Sequence, residues 1–203
     1  MPFSSMPSSS LLRIRLHDCP YRMMDTVDMH LLFPNFDADP DDPAQYRFTQ
    51  TDDYIQAICN LGAEVVYRLG ESIEHYQHKS YVCPPVDNAK WARICVNIIR
   101  HYNAGWANGF HHGIRYWEIW NEPDLGPLCW TGSDAEFIAL YTTAAKAIKA
   151  YDANLMVGGP AFARVACADD SFLSPFSGHV PTRRCRWCGI YCRSLELFSG
   201  CPA

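Results

Sequence analysis

The sequence predicts an α/β fold, part of a (β/α)8 barrel. Three observations point there. Stretches with strand patterning alternate with stretches of helical patterning. Long polar loops follow the strands, whereas short connections follow the helices. Charged and amide side chains gather where the strands end. Such alternation implies parallel strands with helices packed outside them, and in βα barrels the functional face carries the loops that follow strands. A doubly wound sheet would share that rule. However, neither GxGxxG nor GxxxxGK[ST] follows the first strand, so a nucleotide site lacks its usual signature.

The elements follow in order. Residues 1–10 are rich in Ser, Pro and Met and carry no period. LLRIRLHD, 11–18, alternates and reads as a strand ending at His17. Residues 19–50 are crowded with Asp and Pro and read as a long loop. A helix is expected at about 51–61, capped by Thr51 or Asp52, striped by Tyr54, Ile55, Ile58 and Cys59, and ended by Gly62. AEVVYRLG, 63–70, is the second strand, and a polar loop with Glu71, Glu74 and His75 follows it. Asp87 caps the next helix, whose Trp91, Ile94, Cys95, Ile98, Ile99 and Tyr102 keep helical spacing. GIRYWEIW, 113–120, is the third strand. A capping box, Ser133 to Glu136, opens a helix through Phe137, Leu140, Tyr141, Ala144 and Ile148. ANLMVGGPAF, 153–162, is the fourth strand.

Composition narrows the function classes. The 203 residues carry a net charge of −5 and no basic run, which argues against a nucleic-acid partner. Nothing approaches the roughly 20 apolar residues of a membrane span. The N-terminus lacks the apolar core of a secretory signal, which favours a cytoplasmic location. Of ten cysteines, six (Cys19, Cys59, Cys83, Cys95, Cys129, Cys167) are scattered and read as buried, reduced thiols.

The segment YWEIWNEPD, 116–124, carries the chemistry. Simple alternation puts Glu118, Trp120 and Glu122 on one face, and Trp117, Ile119 and Asn121 on the other. Pro123 stops the ladder, leaving Asn121 and Glu122 at a rigid tip. Partial desolvation of a carboxyl group favours its protonated form, which suits a general acid. An amide beside it supplies a neutral donor for a hydroxyl group. The flanking Trp side chains, Trp120 among them, offer flat apolar faces that suit a sugar ring.

IRLHD, YRLG, WEIWNEPD and MVGGPA occur in that order, and together they resemble strands two to five of glycoside hydrolase family 39, in clan A, the family of β-xylosidases and α-L-iduronidases. The resemblance covers about residues 11–172. It implies a (β/α)8 barrel, a carbohydrate substrate, a retaining mechanism and no metal or organic cofactor. By the same resemblance Glu122 is the acid/base, Asn121 holds the hydroxyl beside the reacting carbon, and His17 lines the sugar pocket.

Retaining chemistry needs a second carboxylate about 5–5.5 Å from the first. Glu118 cannot serve, because four strand residues at about 3.3 Å each place it roughly 13 Å away. The family's nucleophile lies at strand seven, and the patterning here accounts for only four βα units of a barrel that takes about 250 residues. The expected organisation is therefore an unpatterned 1–10, a partial barrel at 11–173 and an irregular tail at 174–203, without the nucleophile and inactive alone. In the tail, Cys185, Cys188, Cys192 and Cys201, with His179, permit a zinc-module reading. The abrupt loss of periodicity favours an out-of-frame translation instead. A carbohydrate-binding remnant without hydrolysis is the other alternative.

Overall fold

The computed structural model describes residues 12–17 and 26–163. The tail from residue 174, with its possible zinc ligands, lies outside them, as do Cys19 and Cys167. Four parallel strands, β1 (Arg13–Arg15), β2 (Glu64–Leu69), β3 (Tyr116–Ile119) and β4 (Met156–Gly158), lie side by side in chain order. The helices are α1 (Met29–Leu32), α2 (Thr49–Asn60), α3 (Asn88–Ala104) and α4 (Asp134–Tyr151). Each strand from β1 to β3 connects to its neighbour through helix, so the architecture is a partial (β/α)8 barrel. No helix of the described residues is long and apolar enough to cross a membrane.

Register separates the sheet into two faces. Arg15, Val66, Tyr116 and Met156 share one row, and Arg68, Glu118 and Gly158 the next. This face is charged and corresponds to a barrel interior. The alternate residues Ile14, Val65, Tyr67, Leu69, Trp117, Ile119 and Val157 face the helices and join one apolar core. There α3 buries Trp91, Ile94, Cys95, Ile98, Ile99 and Tyr102. Removing each of these larger side chains from water contributes about 1.5–3 kcal/mol.

Several caps match the expectations. The Asp87 carboxylate accepts from the amides of Ala89 and Lys90, at 2.8 and 3.0 Å. Ser133 and Glu136 form the reciprocal capping box. Other boundaries differ. Helix α2 starts at Thr49 after Phe48, not at Thr51 or Asp52, and has no side-chain cap. The Thr51 hydroxyl instead donates to the Thr26 carbonyl at 2.6 Å, a contact 25 residues away that local reasoning cannot supply. Within the expected loop 19–50, α1 and a 3-10 turn at Pro43–Gln45 form. All four strands are shorter than their patterned stretches. Among the described cysteines, Cys95 and Cys129 are buried as expected, Cys59 and Cys83 are half-buried, and all four are free thiols.

Candidate active site

The tip of β3 departs from simple alternation. Trp120 has φ 69 and Glu122 φ 44, both left-handed, which is uncommon for large side chains. The chain therefore turns over at Trp120, and Asn121 joins the face of Glu118 instead of opposing it. The arginine on β1 shows this directly. Arg15 Nε donates to both Glu118 oxygens, at 3.0 and 2.9 Å, and Arg15 Nη2 donates to Asn121 Oδ1 at 2.9 Å. The expected split of Asn121 from Glu118 is thus corrected by the left-handed backbone between them.

Arg15 also orients the amide. A guanidinium only donates, so the oxygen of Asn121 must face it and the NH2 group must point elsewhere. Asn121 is 1% exposed, and its Nδ2 has no partner among the described residues. A buried donor without an acceptor is costly unless a ligand completes it.

Glu122 follows at the lip. Its N–H donates to the Ala161 carbonyl at 2.9 Å, and its carbonyl accepts from Leu125 N–H at 2.9 Å. Asn121 bridges Ala161, and Asp124 accepts from the Ala163 amide at 3.0 Å. The segment is thereby clamped to the chain beyond β4, and Pro123 opens a 3-10 turn at Pro123–Leu125. The Glu122 residue is half-buried.

Trp120 does not provide the expected sugar-stacking face. It is 1% exposed, its indole N–H donates to the Cys129 carbonyl at 2.8 Å, and its ring packs on Trp91 and edge-on to Trp130. Its left-handed backbone sends the indole into the packing between α3 and the loop after β3, and it supports the tip from behind. A Cβ at Gly70 would lie 2.9 Å from its ring. His17 is half-buried just past β1, two residues beyond Arg15 and so in the same strand parity.

The loop after β2 divides into separate roles. Glu74 is buried and accepts from the amides of Ser80, Tyr81 and Val82, at 2.8, 3.0 and 3.2 Å, so it fixes the loop and offers nothing outward. These amides hold its carboxyl below the usual range against the opposing effect of desolvation. His75 is exposed. Glu71 is buried and takes two bonds from His30: the backbone N–H at 3.1 Å and Nδ1 at 2.6 Å. Burial pushes the Glu71 carboxyl up to about 7, with the Asp28 charge adding and His30 and Arg68 opposing.

Asp28, His30 and Glu71 are spaced as metal ligands could be. However, Asp28 is already neutralised by Arg68 Nη2 at 2.6 Å and accepts from the amide and hydroxyl of Ser72, each at 2.8 Å. The cation of Asp28 is thus a guanidinium, and the partner of Glu71 is His30.

Sequence reasoning missed Arg15, Glu118 and His30 as builders of this region. One signal was present: charges of opposite sign inside the short strands RIR and YWEI, which pay desolvation unless they meet.

Comparison with known proteins then gives the relationship. The model for glycosyl hydrolases family 39 matches residues 14–181. A β-xylosidase from Caldicellulosiruptor saccharolyticus is 30% identical over 148 residues, 67% of this chain and 28% of that protein. One from Geobacillus stearothermophilus is 32% identical over 108 residues, 52% and 20%. A glucosidase structure from Croceicoccus marinus aligns with TM-score 0.61 and 33% identity, covering 75% of this chain and 30% of that one. A monomeric β-xylosidase from Caulobacter crescentus gives 0.50 and 26%, covering 66% and 28%. The chain therefore spans less than a third of each of these relatives. Its match to the family model extends over most of its own length, and the chain belongs to glycosyl hydrolases family 39.

Proposed function

We propose that this chain carries the acid/base side of a retaining glycoside hydrolase site. Glu122 protonates the departing glycosidic oxygen and later takes a proton from the attacking water. Asn121 donates through Nδ2 to the sugar hydroxyl next to the reacting carbon. The observation that carries this reading is the Asn121 amide, buried, aimed by Arg15 and left with an unanswered donor beside the Glu122 carboxyl. His17, just past the end of β1 and two strands away, lines the same pocket.

The nucleophile is a separate matter. Glu118, the other carboxylate of this strand segment, is committed to Arg15. The polypeptide alone is therefore expected to turn over little substrate. Its substrate class is a β-glycoside, with β-xylosides the first choice because the matched relatives from C. saccharolyticus and G. stearothermophilus are β-xylosidases.

The test combines binding and hydrolysis of 4-nitrophenyl β-D-xyloside. Wild type and Glu122→Gln should bind it alike, Asn121→Ala should bind at least tenfold more weakly, and nitrophenol release should stay near the buffer rate. No binding by wild type would overturn the site. Where wild type cleaves xylobiose, whose leaving sugar needs protonation, cleavage that survives Glu122→Gln would overturn the role of that carboxyl, since a general acid contributes about 10²–10⁴-fold.

A further inference from the structure

We infer that His30 and Glu71 form a sugar-recognition contact beside Asn121 and Glu122, taking one ring hydroxyl of the bound glycoside. This deepens the site proposed above and rests on that reading.

Placement comes first. The β2–β3 register pairs Leu69 with Ile119, and the Trp120 N–H still donates to the Leu69 carbonyl at 2.7 Å. Gly70 and Glu71 therefore emerge alongside Trp120 and Asn121 at the same strand tips. The Met29 N–H donates to the Gly70 carbonyl at 3.1 Å, which brings His30 over this rim.

Division of labour comes second. Of three buried carboxylates in this region, Asp28 neutralises Arg68 and Glu74 closes three loop amides. Glu71 does neither. It is 7% exposed, and its described bonds run to His30 alone, one from the backbone N–H and one from the ring. Buried carboxylates kept at such expense cluster at functional sites. The carboxyl pushed up to about 7 can donate or accept near neutrality, which suits a hydroxyl partner.

Shape comes third. The His30 ring stacks on Tyr81 with centroids 3.8 Å apart and planes 13° from parallel. Tyr81 is 46% exposed, and its loop is pinned by Glu74 and by the Thr131 N–H to Val82 carbonyl bond. A polar pair framed by a fixed, open aromatic ring is the combination a sugar presents to itself: apolar ring faces and polar edges. The unanswered Nδ2 of Asn121 at the neighbouring strand tip is independent evidence that a polar ligand belongs at this rim.

The experiment measures affinities of the full chain for 4-nitrophenyl β-D-xyloside and its 2-, 3- and 4-deoxy analogues. The 2-deoxy analogue reports Asn121; of the 3- and 4-deoxy analogues, wild type should lose about tenfold or more for the one that lacks the hydroxyl facing the pair, as expected for a hydrogen bond to a charged or ionisable group. Glu71→Gln and His30→Gln should weaken the parent sugar similarly and lose that discrimination, while the other analogues keep their ranking. A uniform drop across all four sugars would mean that the pair only supports the fold and would overturn the inference. So would unchanged discrimination in both variants. Failure of wild type to bind any of the sugars overturns the site itself, and this contact with it. Thermal midpoints of both variants separate lost recognition from lost folding.

Discussion

Replacing Glu118 with Gln tests the framework behind the site. The substitution keeps the shape but leaves Arg15 facing a neutral amide. The Arg15 and Glu118 side chains are 24% and 11% exposed, so the pair is closer to a buried one than to a surface one. Breaking a buried pair from one side costs about 3–5 kcal/mol, whereas a surface pair is worth about 0–1 kcal/mol. Partial exposure and the acceptor retained by Gln place Glu118→Gln at about 2 kcal/mol. With a urea slope of about 2 kcal/mol/M, the midpoint should fall by about 1 M. Urea titration followed by the fluorescence of the six Trp residues reads this directly. The charge argument has an internal control. Arg15→Met with Glu118→Met removes both ions, and it should recover part of the loss despite leaving Asn121 Oδ1 without its donor. A midpoint shift below about 0.3 M for Glu118→Gln, or a double variant weaker than the single, would refute the reasoning.

Other outcomes are expected from the same structure. Ser133→Ala removes the cap of α4 and should cost about 1 kcal/mol, read as a lower thermal midpoint. Gly70→Ala should cost about 2 kcal/mol or more in urea titration, because φ +123 is strained for alanine and its Cβ would press within 2.9 Å of the Trp120 ring. Glu71 has a folded value near 7 against an ordinary 4.5, so the folded chain binds more protons than the unfolded one between them. Stability should therefore fall as pH rises from about 4.5 to 7, by up to about 3 kcal/mol. The slope should largely vanish in Glu71→Gln, measured by urea titrations across that range. Glu122→Gln makes no hydrogen bond worse among the described side chains and should change stability by less than about 0.5 kcal/mol in the same assay.

How far the sequence could be read depends on the range of the forces involved. Asp87, the Ser133–Glu136 box and the apolar stripe of α3 act within a few residues, and all of them were legible. So was the placement of Asn121 and Glu122 at a strand end, because Pro123 announces it. Trp120 was misread because its conformation runs against local preference. Tertiary structure sets that conformation, through packing on Trp91 and Trp130 and the indole bond to the Cys129 carbonyl. Arg15 meets Glu118 across 103 residues, and His30 meets Glu71 across 41, separations that no periodicity argument spans. Thr51 was taken for a cap because its type favours caps, yet a distant carbonyl claimed its hydroxyl.

The backward turn at Trp120 ties the aim of the reactive groups to a residue on an outer helix. Trp91 belongs to α3, yet its ring is one side of the vice that keeps the tip inverted. Reshaping position 91 would re-point the carboxyl and amide without altering either. A programme of directed change to sugar preference can therefore work from behind the sheet, where substitutions leave every ligand-facing atom chemically untouched.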